Sequence, residues 1–277
     1  MKTFLSILAL SVAMAAVKAQ GSVDFKIHML PKTVYHQTMG QTYEIKFDFD
    51  SSSQAVLDKV DAQGGAALAP KTIATEMTST ITTGEPDNTG RIPVVMEILS
   101  SKMPGTMDSL AGTKVWGTVM PDSLPRFDSL VAPTESEAFK STFLTIVNTM
   151  YSQMHYPRAR IALGGSYTQT MPFSIPMGPA AMGMNISMTY TLHNMTGSIA
   201  HFTVAVALSM DVSGEGAPPM SGGGDGSGTL DYDTGANYIT SMNVHYNMNI
   251  GLHKDDMVMH IHVKVGQSNT ATISPLP

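Results

Sequence analysis

Apolar and polar residues alternate with a period of two over long stretches of this chain. The alternation runs through residues 42–50, 182–192, 200–212, 238–252 and 257–265. Because successive side chains of a strand point to opposite faces of a sheet, the pattern predicts antiparallel strands with one apolar and one polar face. All five stretches exceed the usual five or six residues of a strand. We therefore expect long curved antiparallel sheets that form a half-barrel or a barrel.

A different pattern, typical of an amphipathic helix, interrupts the strands once. Thr134 and Glu137 have the spacing of a capping box. Apolar residues then recur at helical intervals as far as Met154, and Pro157 follows. This predicts a helix at about 134–154, so that the fold class is mainly β (α+β) with a single helix.

The segments between these elements suggest how the chain is organised. Residues 213–228 are rich in Gly, Ser and Pro, which predicts a flexible loop. The order of strands before the helix resembles the order after it, which indicates an internal duplication. We expect five segments, which are a signal peptide at 1–19, an N-terminal β half at 20–132, a connecting helix at 133–157, a C-terminal β half at 158–268 and a tail at 269–277.

The N-terminal segment has the features of an export signal. Basic Lys2 precedes an apolar run over 4–17, and small residues at Val17 and Ala19 suit cleavage after Ala19. The run is shorter than the ~20 residues of a membrane span. A lipoprotein signal needs a cysteine after the cleavage site, and the chain has none. We expect a soluble protein of the periplasm or the extracellular space.

Composition narrows the function further. Only 14% of the residues are charged, the net charge is −6 and cysteine is absent. The absence of cysteine excludes disulfides, thiolate metal sites and cysteine nucleophiles. The negative net charge argues against a nucleic-acid partner. The 29 Thr and 26 Ser residues supply the polar surface instead.

Three stretches of the C-terminal half carry a resemblance to known proteins. These are 166–176, the alternating run that begins NISMTYTLHN at Asn185, and GSGTLDYDTGANYITSMNV after it. They resemble uncharacterised secreted families of Gram-negative bacteria, of which domain of unknown function 6263 is one. The general shape is similar to the half-barrels of periplasmic lipoprotein carriers. The resemblance implies a β-rich exported protein and no catalytic residue.

The usual catalytic motifs are missing from the sequence. There is no nucleophile elbow, zinc-protease motif, phosphate-binding loop or dinucleotide fingerprint. Asp231 and Asp233 could form a carboxylate pair, although aspartates at a strand end more often bond the local backbone. We expect neither catalysis nor a cofactor.

Histidines provide the alternative of a metal site. His260 and His262 lie on one face of a predicted strand, and pairing with the preceding strand is expected to bring His245 diagonal to His262. Three imidazoles could hold zinc or copper. The same face carries Lys264, and no carboxylate is evident beside the pair in the local sequence.

Methionine is abundant, with 23 residues, and those in the alternating stretches fall on the apolar faces. Flexible thioethers fill irregular cores and also suit adaptable apolar binding sites. An apolar, lipid-like ligand in the concavity of the sheet, with the helix as a lid or a plug, would contact the side chains of Phe139, Phe143, Met150, Met184, Met188, Met242 and Met248. Three classes of function stay open, namely an exported non-catalytic carrier, a structural or interaction module of the cell envelope with a filled core, and a histidine-based metal-binding protein.

Overall fold

The computed structural model describes residues 21–51, 69–102, 110–120, 123–132, 158–177, 180–214, 220–254 and 257–276, together with residues 140–141, 143–145 and 147–148. Strands dominate this part of the chain, and the described residues between 140 and 148 are helical. The strands are β1 (Ser22–Phe25), β2 (Thr33–Ser51), β3 (Lys71–Thr83), β4 (Ile92–Lys102), β5 (Lys114–Val119), β6 (Arg126–Val131), β7 (Ala159–Ala162), β8 (Ser166–Met177), β9 (Ala180–Thr196), β10 (Ile199–Gly214), β11 (Met220–Asp233), β12 (Tyr238–Lys254) and β13 (Met257–Pro275).

Eleven of the strands form one antiparallel sheet, in the order β6-β5-β4-β3-β2-β13-β12-β11-β10-β9-β8. The chain moves outward from β2 to β6, reaches the opposite edge at β8 and returns inward to β13. In both runs, each strand pairs with the next one in the chain, and the strands are added in the same direction across the sheet. Strands β6 and β8 are the two edges of the described sheet, so the sheet is open.

The first and last long strands of the chain meet at the centre of the sheet. Strands β2 and β13 pair over their whole length, from Thr33 opposite Pro275 to Ser51 opposite Met257. Residues 269–275, expected as a tail, are therefore the end of the central strand β13. The alternation had indicated only the part of β13 up to 265, because polar Gln267 and Asn269 interrupt its apolar positions.

The alternation corresponds to two distinct faces of the sheet. We call inner the face that carries Tyr35, Phe202 and Val244, all of which are buried. The outer face carries the intervening residues, such as Thr203 and Asn243, which are exposed. The predicted antiparallel sheet with one apolar face is confirmed.

A small two-stranded sheet covers one part of the inner face. It pairs β1 with β7 and inserts Phe25, only 1% exposed, into the core of the C-terminal strands. The ring of Phe25 lies 4.9 Å from that of Phe202 and 5.1 Å from that of Tyr232. Burying a phenylalanine contributes about 1.5–3 kcal/mol, and each aromatic pair adds about 0.5–1.5 kcal/mol. The cover thus makes a large contribution to stability.

The helix covers the corresponding part of the N-terminal strands. Its residues Phe143, Leu144 and Val147 pack against a buried cluster that includes Tyr35 and Val115. Asn148 also joins the helix to edge strand β6, since its side-chain amide donates to the carbonyl of Phe127 (2.8 Å) and its oxygen accepts from the Phe127 N–H (3.0 Å). The predicted capping box lies outside the described residues.

The expected flexible loop at 213–228 is wrong for most of that range. Strand β10 continues to Gly214, and 220–228 belong to β11. The even-numbered glycines of β11 face β12 at very close range. A Cβ on Gly226 would lie 2.6 Å from the Cα of Tyr246 and would also overlap the carbonyl oxygen of His245. Glycine is present here because the two strand backbones approach too closely for any side chain.

Candidate functional site

Part of the inner face lies beyond both covers. There, strands β2, β13 and β12 continue side by side and bring apolar side chains together in register. Phe47 lies opposite Ile261, which lies opposite Ile250, and Phe49, Met259 and Leu252 form the next row. We call this group, completed by Ile45 and Met248 in the adjoining row, the apolar patch.

The side chains of the apolar patch are half-buried, whereas the same face is closed under the covers. Tyr35 and Tyr232 are 0% exposed under the covers, but all eight residues of the patch retain partial exposure. The change from buried to half-buried side chains occurs along individual strands. On β12, Val244 is 2% exposed and the inner-facing residues from Tyr246 to Leu252 are not fully buried. The patch is therefore a continuation of the core surface that the described residues do not cover completely.

Two tyrosines mark the border between the covered core and the apolar patch. Tyr43 and Tyr246 both lie opposite Val265 on the inner face. Burial raises the pKa of Tyr246, and the neighbouring Tyr43 phenol raises it further. Tyr43 donates its hydroxyl to the side chain of Gln41 at 2.7 Å. Because its pKa is raised, the Tyr246 phenol stays neutral at physiological pH and adds no charge to the border of the patch.

The predicted ligand-binding residues occupy different places. Only Met248 belongs to the apolar patch. Met188 and Met242 pack against the buried cluster around Phe25, and Met184 lies half-buried near the far end of β9. Phe143 of the helix packs in the other buried cluster.

Two further predicted residues, Phe139 and Met150, lie outside the described part of the chain. The structure thus does not bring the predicted set together into one site. Met248 is instead accompanied by aromatic and aliphatic residues of β2 and β13 that the sequence did not single out. Their alternation was visible, but their partnership with β12 depends on pairing between distant parts of the chain.

The outer face behind the apolar patch carries the two histidines of the predicted metal site. His260 lies 3.1 Å from Asp50, and His262 lies 3.2 Å from Asp48 and 2.6 Å from the side-chain oxygen of Asn249. Carboxylates do therefore accompany both imidazoles, contrary to the expectation from the local sequence. They come from β2, which is about two hundred residues away in the chain.

The third predicted ligand, His245, is not part of that group. It pairs with Gly266, whereas His262 pairs with Asn249. Four residues along a strand amount to about 13 Å, so the expected diagonal contact is wrong. Among the described residues, no three or more His, Asp or Glu side chains have an arrangement that could hold a metal ion.

The polar groups around His262 form a network of close contacts. Lys46 lies 3.0 Å from Asp48, and its hydrogen bond and charge hold the pKa of that carboxyl below its usual value. The nearby imidazoles of His262 and His260 act in the same direction. A lysine ammonium at this position opposes the binding of a cation.

A third histidine–aspartate pair was not predicted from the sequence. His201 Nδ1 lies 2.7 Å from Asp231 Oδ1 across β10 and β11 on the outer face. The sequence had suggested that the Asp231 carboxylate bonds the local turn, but it contacts His201 instead. Asp233 does bond the turn, since its carboxylate accepts from the N–H of Gly235 at 2.8 Å.

Two depressions lie on the outer face, away from the apolar patch. One, of about 420 Å³, lies over the β2–β13 seam beside the Glu76–Lys102 ion pair and His245. The other, of about 470 Å³, lies between Arg91 and Arg126. Both are open depressions lined mainly by polar and charged residues, and neither brings an acid, a base and a nucleophile together as an active site does.

A scan against protein-family models and a search of curated proteins find no match to the chain. In the described part of the chain, no helix is long and apolar enough to cross a membrane.

Proposed function

We propose that this protein is an exported, non-catalytic protein that binds an apolar, lipid-like molecule on the apolar patch. The main observation in support is the contrast along a single face. The inner face is sealed by β1–β7 and by the helix at one end, and it continues as half-exposed aromatic, aliphatic and thioether side chains at the other.

Physical chemistry supports a ligand at such a surface. Contiguous apolar surface larger than a few hundred Å² is uncommon on monomeric proteins and usually marks an interaction site. A ligand that removes about 200 Å² of it from water would gain roughly 5 kcal/mol before the costs of association. Met248 and Met259 have flexible thioether chains that can adapt to ligands of different shape.

Export is supported by the sequence of the N-terminal segment and by the resemblance to secreted bacterial families. The absence of catalysis is supported by the position of the ionisable groups. The pairs formed by His201, His260 and His262 with aspartates lie on the outer face, opposite the apolar patch. A molecule bound on the inner face would not reach them.

Titration with the neutral fluorescent probe N-phenyl-1-naphthylamine tests this function. Phe47→Ser removes an aromatic ring from the centre of the patch, and Glu44→Ser is the matched control on the outer face of the same strand. We expect saturable binding to the natural protein and to Glu44→Ser, and at least about tenfold weaker binding to Phe47→Ser. A thermal unfolding scan of each variant verifies folding.

Two results would contradict the proposal. Equal affinity in Phe47→Ser and the natural protein would place the ligand elsewhere. Absence of saturable binding to the natural protein would favour the alternative function, a structural or interaction module of the envelope with a filled core. One observation supports that alternative. The side chains of Phe143, Leu144 and Val147 of the helix pack against the buried cluster, as those of a plug would.

A further inference from the structure

The two edges of the sheet differ in how they are protected. Strand β6 has six residues, and the side chain of Asn148 already bonds both backbone groups of Phe127. Strand β8 has twelve residues and no strand on its outer side within the described chain. An unprotected edge offers a row of backbone donors and acceptors to another strand.

Hydrogen bonds at the start of β8 show which residues face the free edge. Leu192 of β9 donates to the carbonyl of Gly165 at 3.0 Å and accepts from Gly164 at 2.8 Å. Because the direction alternates along an antiparallel strand, odd-numbered residues of β8 bond β9 and even-numbered residues point outward. Pro172 agrees with this, since proline is accepted in a strand only where its nitrogen faces away from the ladder.

Three outward-facing residues, Ser166, Thr168 and Thr170, keep both their N–H and their C=O, whereas Pro172 and Pro176 lack the N–H. The hydroxyl side chains of the first three are exposed on the outer face. Strand β8 contains no charged residue that would repel an added strand. The free edge is thus open over 166–170 and closed beyond it.

We propose that this edge pairs with the same edge of a second copy of the chain, antiparallel and centred on Thr168. A two-fold axis at Thr168 places Ser166 opposite Thr170 of the second copy and forms six backbone hydrogen bonds. The next position would place Pro172 opposite Gly164. Neither can extend the ladder, because Pro172 has no N–H and the Gly164 N–H is already bonded to Leu192.

The symmetry of the open stretch favours a second copy as the occupant. The five-residue open stretch is self-complementary about its centre, with uncharged hydroxyl residues at every outward position. Pairing of two edges would join the two sheets into one.

Cysteine cross-linking tests the register directly. The chain has no cysteine, so every disulfide in a variant comes from the introduced residue. Facing residues of a hydrogen-bonded antiparallel pair have Cα atoms about 5.5 Å apart, which is within the range of a disulfide. Under mild oxidation we expect covalent dimers of Thr168→Cys, and none of Thr203→Cys, an exposed outer-face position on β10. A mixture of Ser166→Cys and Thr170→Cys should form dimers that neither forms alone.

Sedimentation equilibrium of the full mature chain provides a measurement without cross-linking. Thr168→Pro removes both central hydrogen bonds of the dimer and leaves the backbone bonds between β8 and β9 intact, so the dissociation constant of the dimer should rise at least about tenfold. The bond of the Thr168 hydroxyl to Thr189 of β9 (2.8 Å) is lost in this variant and equally in Thr168→Val. Thr168→Val keeps the N–H and should change the dissociation constant by less than about threefold. A natural protein that stays monomeric at high concentration, or Thr168→Cys that cross-links no faster than Thr203→Cys, would overturn the proposal.

Discussion

The close approach of β11 and β12 makes Gly226→Ala a sensitive test of the structure. The new methyl group would lie 2.6 Å from the Cα of Tyr246 and would overlap the carbonyl oxygen of His245. Carbon atoms in contact are normally about 3.5–4.0 Å apart, so the backbone of β12 must withdraw by about 1 Å. Both contacted groups are main-chain atoms of a paired strand, and neither can rotate away.

The expected loss of stability follows from two opposing effects. Overpacking with backbone displacement costs about 1–3 kcal/mol and sometimes more. Replacing glycine also lowers the entropy of the unfolded chain, which offsets about 0.4–1 kcal/mol. We expect a net loss of about 2 kcal/mol, which corresponds to a decrease in Tm of at least about 4 °C in a chain of this size.

Urea unfolding followed by far-UV circular dichroism measures this loss as a lower midpoint at an unchanged m-value. Gly223→Ala is the matched control, because a Cβ there points to the outer face and its nearest neighbour is the Leu208 carbonyl oxygen at 3.1 Å. We expect that variant to lose less than about 1 kcal/mol. If Gly226→Ala were as stable as Gly223→Ala, the close approach of the two backbones would be refuted.

Three further predictions concern the covers and the core. Asn148→Leu removes both hydrogen bonds to Phe127 and should lower the free energy of unfolding by about 2 kcal/mol. Thr145→Ala, on the exposed side of the helix, should have little effect. Equal losses of the two variants in chemical denaturation would contradict this. Phe143→Ala should lower the free energy of unfolding by about 3 kcal/mol. It should leave probe binding unchanged, because Phe143 packs against the covered core and not in the apolar patch. Weaker binding would instead assign the helix to the ligand site. Burial raises the pKa of Tyr190 to about 12, so its contribution to stability should be complete below about pH 10 and decrease from there towards pH 12. Tyr190→Phe should reduce this alkaline loss in pH-dependent unfolding, and an unchanged loss would contradict the assignment.

Local sequence was sufficient to predict several of the long strands. The alternation in 182–192, 200–212 and 238–252 lies within β9, β10 and β12. The turn at 87–90 is equally local, with the Asp87 carboxylate accepting from the Thr89 N–H at 2.8 Å and Gly90 at positive φ. These features depend on side chains a few residues apart, and a pattern of that range determines them.

Strand β11 was missed because its alternation has glycine where other strands have apolar side chains. Glycine is depleted in strands, so a glycine-rich segment indicates a loop when it is considered alone. Glycine is required at 226 because of the backbone of β12, and that backbone lies beside Gly226 only when the two strands have paired. The sequence contained the residues for this contact but no sign of the partner.

Only the tertiary structure determined which residues form the candidate site. Asp48 and Asp50 join His262 and His260 because β2 pairs with β13, although about two hundred residues separate these strands in the chain. Likewise, Phe47, Ile261 and Ile250 become neighbours only in the final register. Alternation determines which side of a strand is apolar, but long-range pairing and the two covers determine which part of that side is buried and which part remains available to a ligand.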